Sequence, residues 1–168
     1  AGACGQGEGT IRYADGVQQV ILNGEDVSGL IRSEEVGRMA SATSVYRPVR
    51  EKLVQLQKQL AREADVIMDG RDIGTVVLPE ADCKIFLTAS DEARAARRCR
   101  ELAQRGTPVA YEDVLSDMRR RDEKDRTRAA SPLRQAEDAV VLDTSELDFE
   151  DSAQALLRLI RESIGHEA

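Results

Sequence analysis

The apolar runs Val66-Ile67-Met68, Lys84-Ile85-Phe86-Leu87-Thr88 and Ala139-Val140-Val141-Leu142-Asp143 are separated by stretches of helical spacing. This alternation constrains the chain more than any other feature, because strand-sized runs alternating with helices build a parallel α/β sheet. The first run ends in Asp69-Gly70-Arg71-Asp72 and continues into Ile73-Gly74-Thr75-Val76-Val77. A core strand that delivers charges to the end of a sheet marks the edge where ligands bind in open α/β sheets. Gly70 allows a tight turn or a close approach, and Arg71 offers a planar fork suited to phosphate or carboxylate. A surface loop with a local ion pair explains these four residues equally well. What weighs against it is a second charged cluster, Arg121-Asp122-Glu123-Lys124-Asp125-Arg126-Thr127-Arg128.

That second cluster closes a helix expected from Tyr111 to about Arg128, with Val114, Leu115 and Met118 on its apolar side. Continuing the stripe by threes and fours lands on Arg121, Asp122, Asp125 and Arg128, so the positions that should face inward are charged. Removing one partner of a buried charge pair costs roughly 3–5 kcal/mol, which is why inward charges serve a ligand or a satisfied internal network. The preceding helix is capped by Ser90-Asp91-Glu92, carries Arg94, Arg97, Arg98, Arg100 and Arg105, and stops at Gly106. A last amphipathic helix runs from Asp148 to Ile164, with Ala153, Leu156, Leu157 and Ile160 on one face.

Upstream, Ile11-Arg12-Tyr13 and Val17 to Leu22 flank Ala14-Asp15-Gly16, and Asp-Gly is a favoured hairpin turn. Asn23-Gly24 turns the chain again into Glu25 to Ile31, a third strand or a turn. This region reads as a small antiparallel insert. Ser33 caps a short helix to about Ala42, with Glu35 early enough to favour the helix dipole. Arg47-Pro48 opens a longer helix whose Val49, Leu53, Leu56 and Leu60 share one face. Arg50 sits near the start of that helix, where exposed N–H groups already favour an anion.

The glycine rhythm of Gly2-Ala3-Cys4-Gly5-Gln6-Gly7-Glu8-Gly9-Thr10 suggests a phosphate loop, but Glu8 stands where such a loop needs its lysine, and a strand follows instead of a helix. A glycine-rich lead-in is the better reading. Net charge excludes a general nucleic-acid binder: at -7 the chain lacks the excess of Lys and Arg that phosphate backbones demand, so any anion site is local. Two Phe, three Tyr and no Trp leave little to stack on bases, which also disfavours an RNA-binding module built on the arginine helix. Cys4, Cys83 and Cys99 are odd in number and lack zinc spacing, so no disulfide framework or metal site is indicated. His166, the single histidine, lies in the polar tail, and histidine-based catalysis is set aside. The apolar runs are too short to span a membrane and the start has no signal-peptide pattern, so a cytoplasmic location is expected.

Asn23-Gly24-Glu25-Asp26-Val27, Val49-Arg50-Glu51, Asp69 to Val77, Lys84-Ile85-Phe86-Leu87, Arg121-Asp122 with Asp125-Arg126 and Arg128, and Val141-Leu142-Asp143-Thr144 together resemble bacterial cytidylate kinases, in register from about Ile11 to Ile160. The resemblance implies a P-loop kinase-type parallel sheet flanked by helices, with a small antiparallel β insert. Residues 1–32 become the lead-in and insert, and residues 33–168 the α/β kinase core, with an arginine-rich lid at about 94–121. The implied reaction is transfer of the γ-phosphoryl group of ATP, with Mg2+, to CMP or dCMP. Ser41, Arg50, Arg71, Asp72, Asp125 and Arg128 are implied to line the CMP site, Arg121, Arg128 and Asp125 to act in catalysis, and Arg97 and Arg98 to meet the ATP phosphates; no protein-bound metal is implied.

Family members begin with a strand and a true P-loop, and nothing before Ile11 matches them. The N-terminal strand and P-loop are therefore expected to be missing, with weak or absent catalysis by this chain alone. A monomer is expected, with the exposed sheet edge as the route to any self-association. Two other readings stay open: a kinase for another monophosphate such as UMP or AMP, and a non-catalytic remnant that binds CMP.

Overall fold

The computed structural model describes residues 9–44, 46–129 and 131–165, without the side chains of Glu34 and Ser41. Most of the glycine-rich lead-in, Cys4 and His166 lie outside the described residues. The chain divides into two compact units, Ala1–Val66 and Ile67–Ala168, so the first helices group with the antiparallel strands.

In the first unit, β1 (Gly9–Ala14), β2 (Val17–Leu22) and β3 (Glu25–Asp26) form an antiparallel sheet in that order. Its register runs from Gly9 opposite Leu22 to Ala14 opposite Val17. Both turns adopt left-handed backbone, with φ of 52° at Asp15 and 75° at Gly16, then 51° at Asn23 and 86° at Gly24. Such pairs match the twist of the flanking strands. Ser28 extends the pairing beyond β3: its Oγ accepts from the Val20 N–H at 2.8 Å and donates to Asp26. A 3₁₀ turn, Leu30–Arg32, leads into α1 (Glu34–Thr43), which Ser33 caps through the Val36 N–H at 3.3 Å. Helix α2 (Arg47–Glu63) carries Pro48 in its first turn. Its stripe is only half-covered, and Leu53 is exposed. Spacing makes the helix, but burial of its face depends on neighbours that spacing does not specify.

The second unit holds the parallel sheet. β4 (Ile85–Thr88) pairs with β5 (Val140–Asp143), Ile85 opposite Val140 and Thr88 opposite Asp143. The expected strand at Val66-Ile67-Met68 does not form. The run lies in no strand among the described residues, and Ile67 is 95% exposed. A strand needs a neighbour to complete its ladder, and β4 is laddered to β5 alone. After Asp72 the chain makes a π-helical turn, Ile73–Val77, closed by Val77 N–H to Asp72 C=O and Leu78 N–H to Ile73 C=O. Helix α3 (Asp91–Gln104) starts at the Ser90 cap, whose Oγ accepts from the Ala93 N–H, and ends before Gly106, at φ 76°. Helix α4 (Tyr111–Thr127) packs on it with Ala95 fully buried against Val114 and Leu115. Helix α5 (Phe149–Ser163) begins at Asp148, which accepts from the Asp151 N–H.

Two basic side chains fix where the strands begin and end. Lys84, 8% exposed in its side chain, donates to the Pro79 carbonyl and to Asp138, tying the entry of β4 to the entry of β5. Its ammonium holds the Asp138 carboxyl below the usual carboxylate range. At the other end, Arg97 of α3 donates to the carbonyls of Thr144 and Leu147 and to the Thr144 hydroxyl.

Candidate active site

The charged turn is shaped by Gly70. A Cβ on Gly70 would meet Ile73 Cγ1 at 2.8 Å, closer than real Cβ contacts allow. Any larger residue at position 70 would force the Ile73 side chain to move. The Asp72 carbonyl then accepts from Val76 and Val77, which fixes its main chain while the side chain reaches toward α4.

There it enters a cluster of two arginines and two carboxylates. Arg71 Nε lies 2.5 Å from Asp125 Oδ2. Arg128 Nη1 stands 3.8 Å from Asp125 Oδ1, and its Nη2 stands 3.8 Å from Asp72 Oδ2. Asp125 thus faces both arginines, and Arg128 bridges both carboxylates. Asp72, Asp125 and Arg128 are largely covered, whereas the Arg71 side chain is 48% exposed. Arg71 meets Asp125 through Nε, while nearly half of its side chain stays open to solvent. A guanidinium held by one edge and open at the other is suited to an incoming dianion.

A second network joins α3 to α4. Arg94 pairs with Asp91 at 2.5 Å and with Asp122 at 2.6 Å, while Arg119 reaches Asp91 and Glu92. Hydrogen bonds from Arg119 and then Arg94 hold the Asp91 carboxyl below its usual range. Asp122, in turn, strengthens the protonated state of Arg94. A cleft of about 460 Å3 opens beside these groups, with Gly70, Arg71, Gly74, Arg94, Asp122 and Arg126 among its walls.

Of the residues expected from sequence, the structure brings Arg71, Asp72, Asp125 and Arg128 together. Arg121 is exposed and enters none of these pairs. Arg98 pairs with Glu101, and Arg97 holds the carbonyls beyond β5. Ser41 falls in α1 with its side chain outside the described part, and Arg50 lies half-buried in the first turn of α2. Arg94, Asp122 and Arg126 were not assigned to the site from sequence, yet all line the cleft. The Asp122 signal was present, since it continues the apolar stripe of α4; nothing local to Arg94 revealed a partner on another helix.

Comparison with known proteins supplies the context for this cluster. A family model for cytidylate kinase matches residues 8–162. A cytidylate kinase of Caldicellulosiruptor bescii is 50% identical over 157 residues, covering 94% of this chain and 70% of that protein. One of Caldicellulosiruptor saccharolyticus is 49% identical with the same coverage. One of Cupriavidus necator is 48% identical over 142 residues, 84% of this chain and 64% of the relative. A family-model match over residues 8–162, with relatives about half identical over most of the chain, places this chain in the cytidylate kinase family.

Proposed function

We propose that this protein works as an ATP-dependent nucleoside monophosphate kinase that passes the γ-phosphoryl group of ATP to CMP or dCMP, giving CDP or dCDP. The observation that carries the reading is the Arg71–Asp125–Arg128–Asp72 cluster beside an open cleft, in a chain of this family. Arg71, Arg128 and Arg50 hold the acceptor phosphate. Asp72 and Asp125 address the cytosine amino group or the sugar hydroxyls, for both of which a carboxylate is a good acceptor. Ser41 completes the monophosphate side. Arg121, Arg128 and Asp125 surround the transfer, and Arg98 meets ATP; Arg97, also implied by the resemblance to do so, is in this structure bonded to the chain beyond β5. Magnesium arrives on the phosphates of ATP.

Phosphoryl transfer asks little of a general base. It is accelerated by in-line positioning and by cations around the migrating group, and by excluding water that would hydrolyse ATP. The chain's arginines serve these needs, and no histidine is required. The protein acts in the cytoplasm as a monomer, with the exposed sheet edge as the route to any self-association.

The test is ADP formation from ATP and Mg2+ with CMP, dCMP, UMP or AMP as acceptor. Turnover greatest with CMP or dCMP is expected. A folded sample that prefers UMP or AMP, or that shows neither CMP-dependent turnover nor CMP binding, overturns the proposal.

A further inference from the structure

Arg128 is the residue of the cluster that touches both carboxylates, and it lies just past the last turn of α4. Its orientation is set from behind. The Arg128 Nε donates to the carbonyl of Ser131, and Ser131 has φ of 50°, left-handed backbone that L side chains rarely adopt. Pro132 follows directly, and a residue before proline is biased toward extended backbone. Serine here therefore opposes two local preferences at once.

The reversal does two things for the site. It turns the Ser131 carbonyl back onto Arg128, and it returns the chain so that the Leu133 N–H donates at 2.8 Å to the Asp125 carbonyl. Carbonyls in the last turn of a helix have lost their intrahelical donors, so Leu133 supplies one to Asp125 from outside. The same short loop thus holds the main chain of Asp125 and the guanidinium of Arg128. The Ser131 hydroxyl makes no hydrogen bond among the described residues, so the backbone conformation is what matters.

We infer that Ser131 is a positioning residue whose left-handed backbone aims Arg128 at the acceptor phosphate. The inference rests on the reading of the cluster as a monophosphate site.

The test is binding of CMP, and of cytidine as the analogue without phosphate, to the 168-residue chain carrying Ser131→Gly, Ser131→Ala, Ser131→Val or Arg128→Lys. Glycine adopts positive φ at no steric cost and should bind CMP within about twofold of wild type. Valine, for which positive φ is least tolerable, should weaken CMP about tenfold or more, with alanine between. Cytidine affinity should fall far less than CMP affinity, since the loop touches Asp125 only through its main chain. A folded Ser131→Val protein with wild-type CMP affinity overturns the inference, as does equal loss of CMP and cytidine, which would mark a merely structural role. Should the valine variant fail to fold, Ser131→Ala decides by the same two ligands. Arg128→Lys separates the levels. Weakened CMP binding there with intact binding in the Ser131 series rejects only the positioning role, whereas unchanged CMP binding there removes Arg128 from the site and the inference with it.

Discussion

Arg71 and Asp125 meet at 2.5 Å, one from the turn after Met68 and the other from the last turns of α4, and this contact joins the two charged stretches of the chain. Asp125→Asn removes the charge but keeps the shape. Because Arg71 is half-exposed while Asp125 is mostly covered, the stability loss should fall between exposed-pair and buried-pair values, about 1–2 kcal/mol. Chemical denaturation measures it, and calorimetry with CMP and UMP should show reduced discrimination between the two.

Arg71→Lys tests the open edge of the guanidinium. Lysine keeps the charge near Asp125 but cannot present a planar fork, so CMP affinity should fall about tenfold while the melting temperature moves little. Equal CMP affinity in the two proteins removes Arg71 from the phosphate site.

Gly70→Ala should destabilise the second unit by about 1–3 kcal/mol, because its Cβ enters the space of Ile73. Ile73→Ala in the same protein empties that space. The double variant should then lose less stability than the sum of the single ones, a coupling readable in a double-mutant cycle.

Arg97→Ala tests the tether between α3 and the end of β5. It strips donors from the carbonyls of Thr144 and Leu147 and from the buried Thr144 hydroxyl. A loss of about 2–3 kcal/mol is expected from bonds to a charged donor. Denaturant midpoints of the two proteins give the value.

The α3–α4 network should respond to acid in one direction. Asp91 has a depressed pKa in the folded protein, through hydrogen bonds from Arg119 and Arg94. A group of this kind contributes stability above its unfolded pKa, near 3.8, and loses it as pH falls through the folded value. Wild type should therefore exceed Asp91→Asn in melting temperature at pH 7, by a modest margin since the carboxyl is still partly open to solvent. The gap should narrow steadily as pH falls below about 3.8. A gap that does not change with pH there assigns the effect to something other than the ionised carboxylate.

Where a few adjacent residues decided the outcome, the sequence was a good guide. Asp15-Gly16 and Asn23-Gly24 take the positive φ their turns require, and Ser33, Ser90 and Asp148 cap the helices they precede. The stripe of α4 also led correctly to Asp122, Asp125 and Arg128 as covered charges, although Arg121 faces water. What failed was non-local. Val66-Ile67-Met68 has the composition of a strand but no ladder, and a ladder depends on a distant neighbour. The π-helical turn after Asp72, and the space beside Gly70 that Ile73 takes, are features that spacing rules do not describe.

The complete burial of Ala95 between α3 and α4 makes that helix pair one stiff piece. With no room for a larger side chain at the contact, and with the ion pairs of Arg94 and Arg119 beside it, neither helix can slide along the other without opening the packing and the ion pairs together.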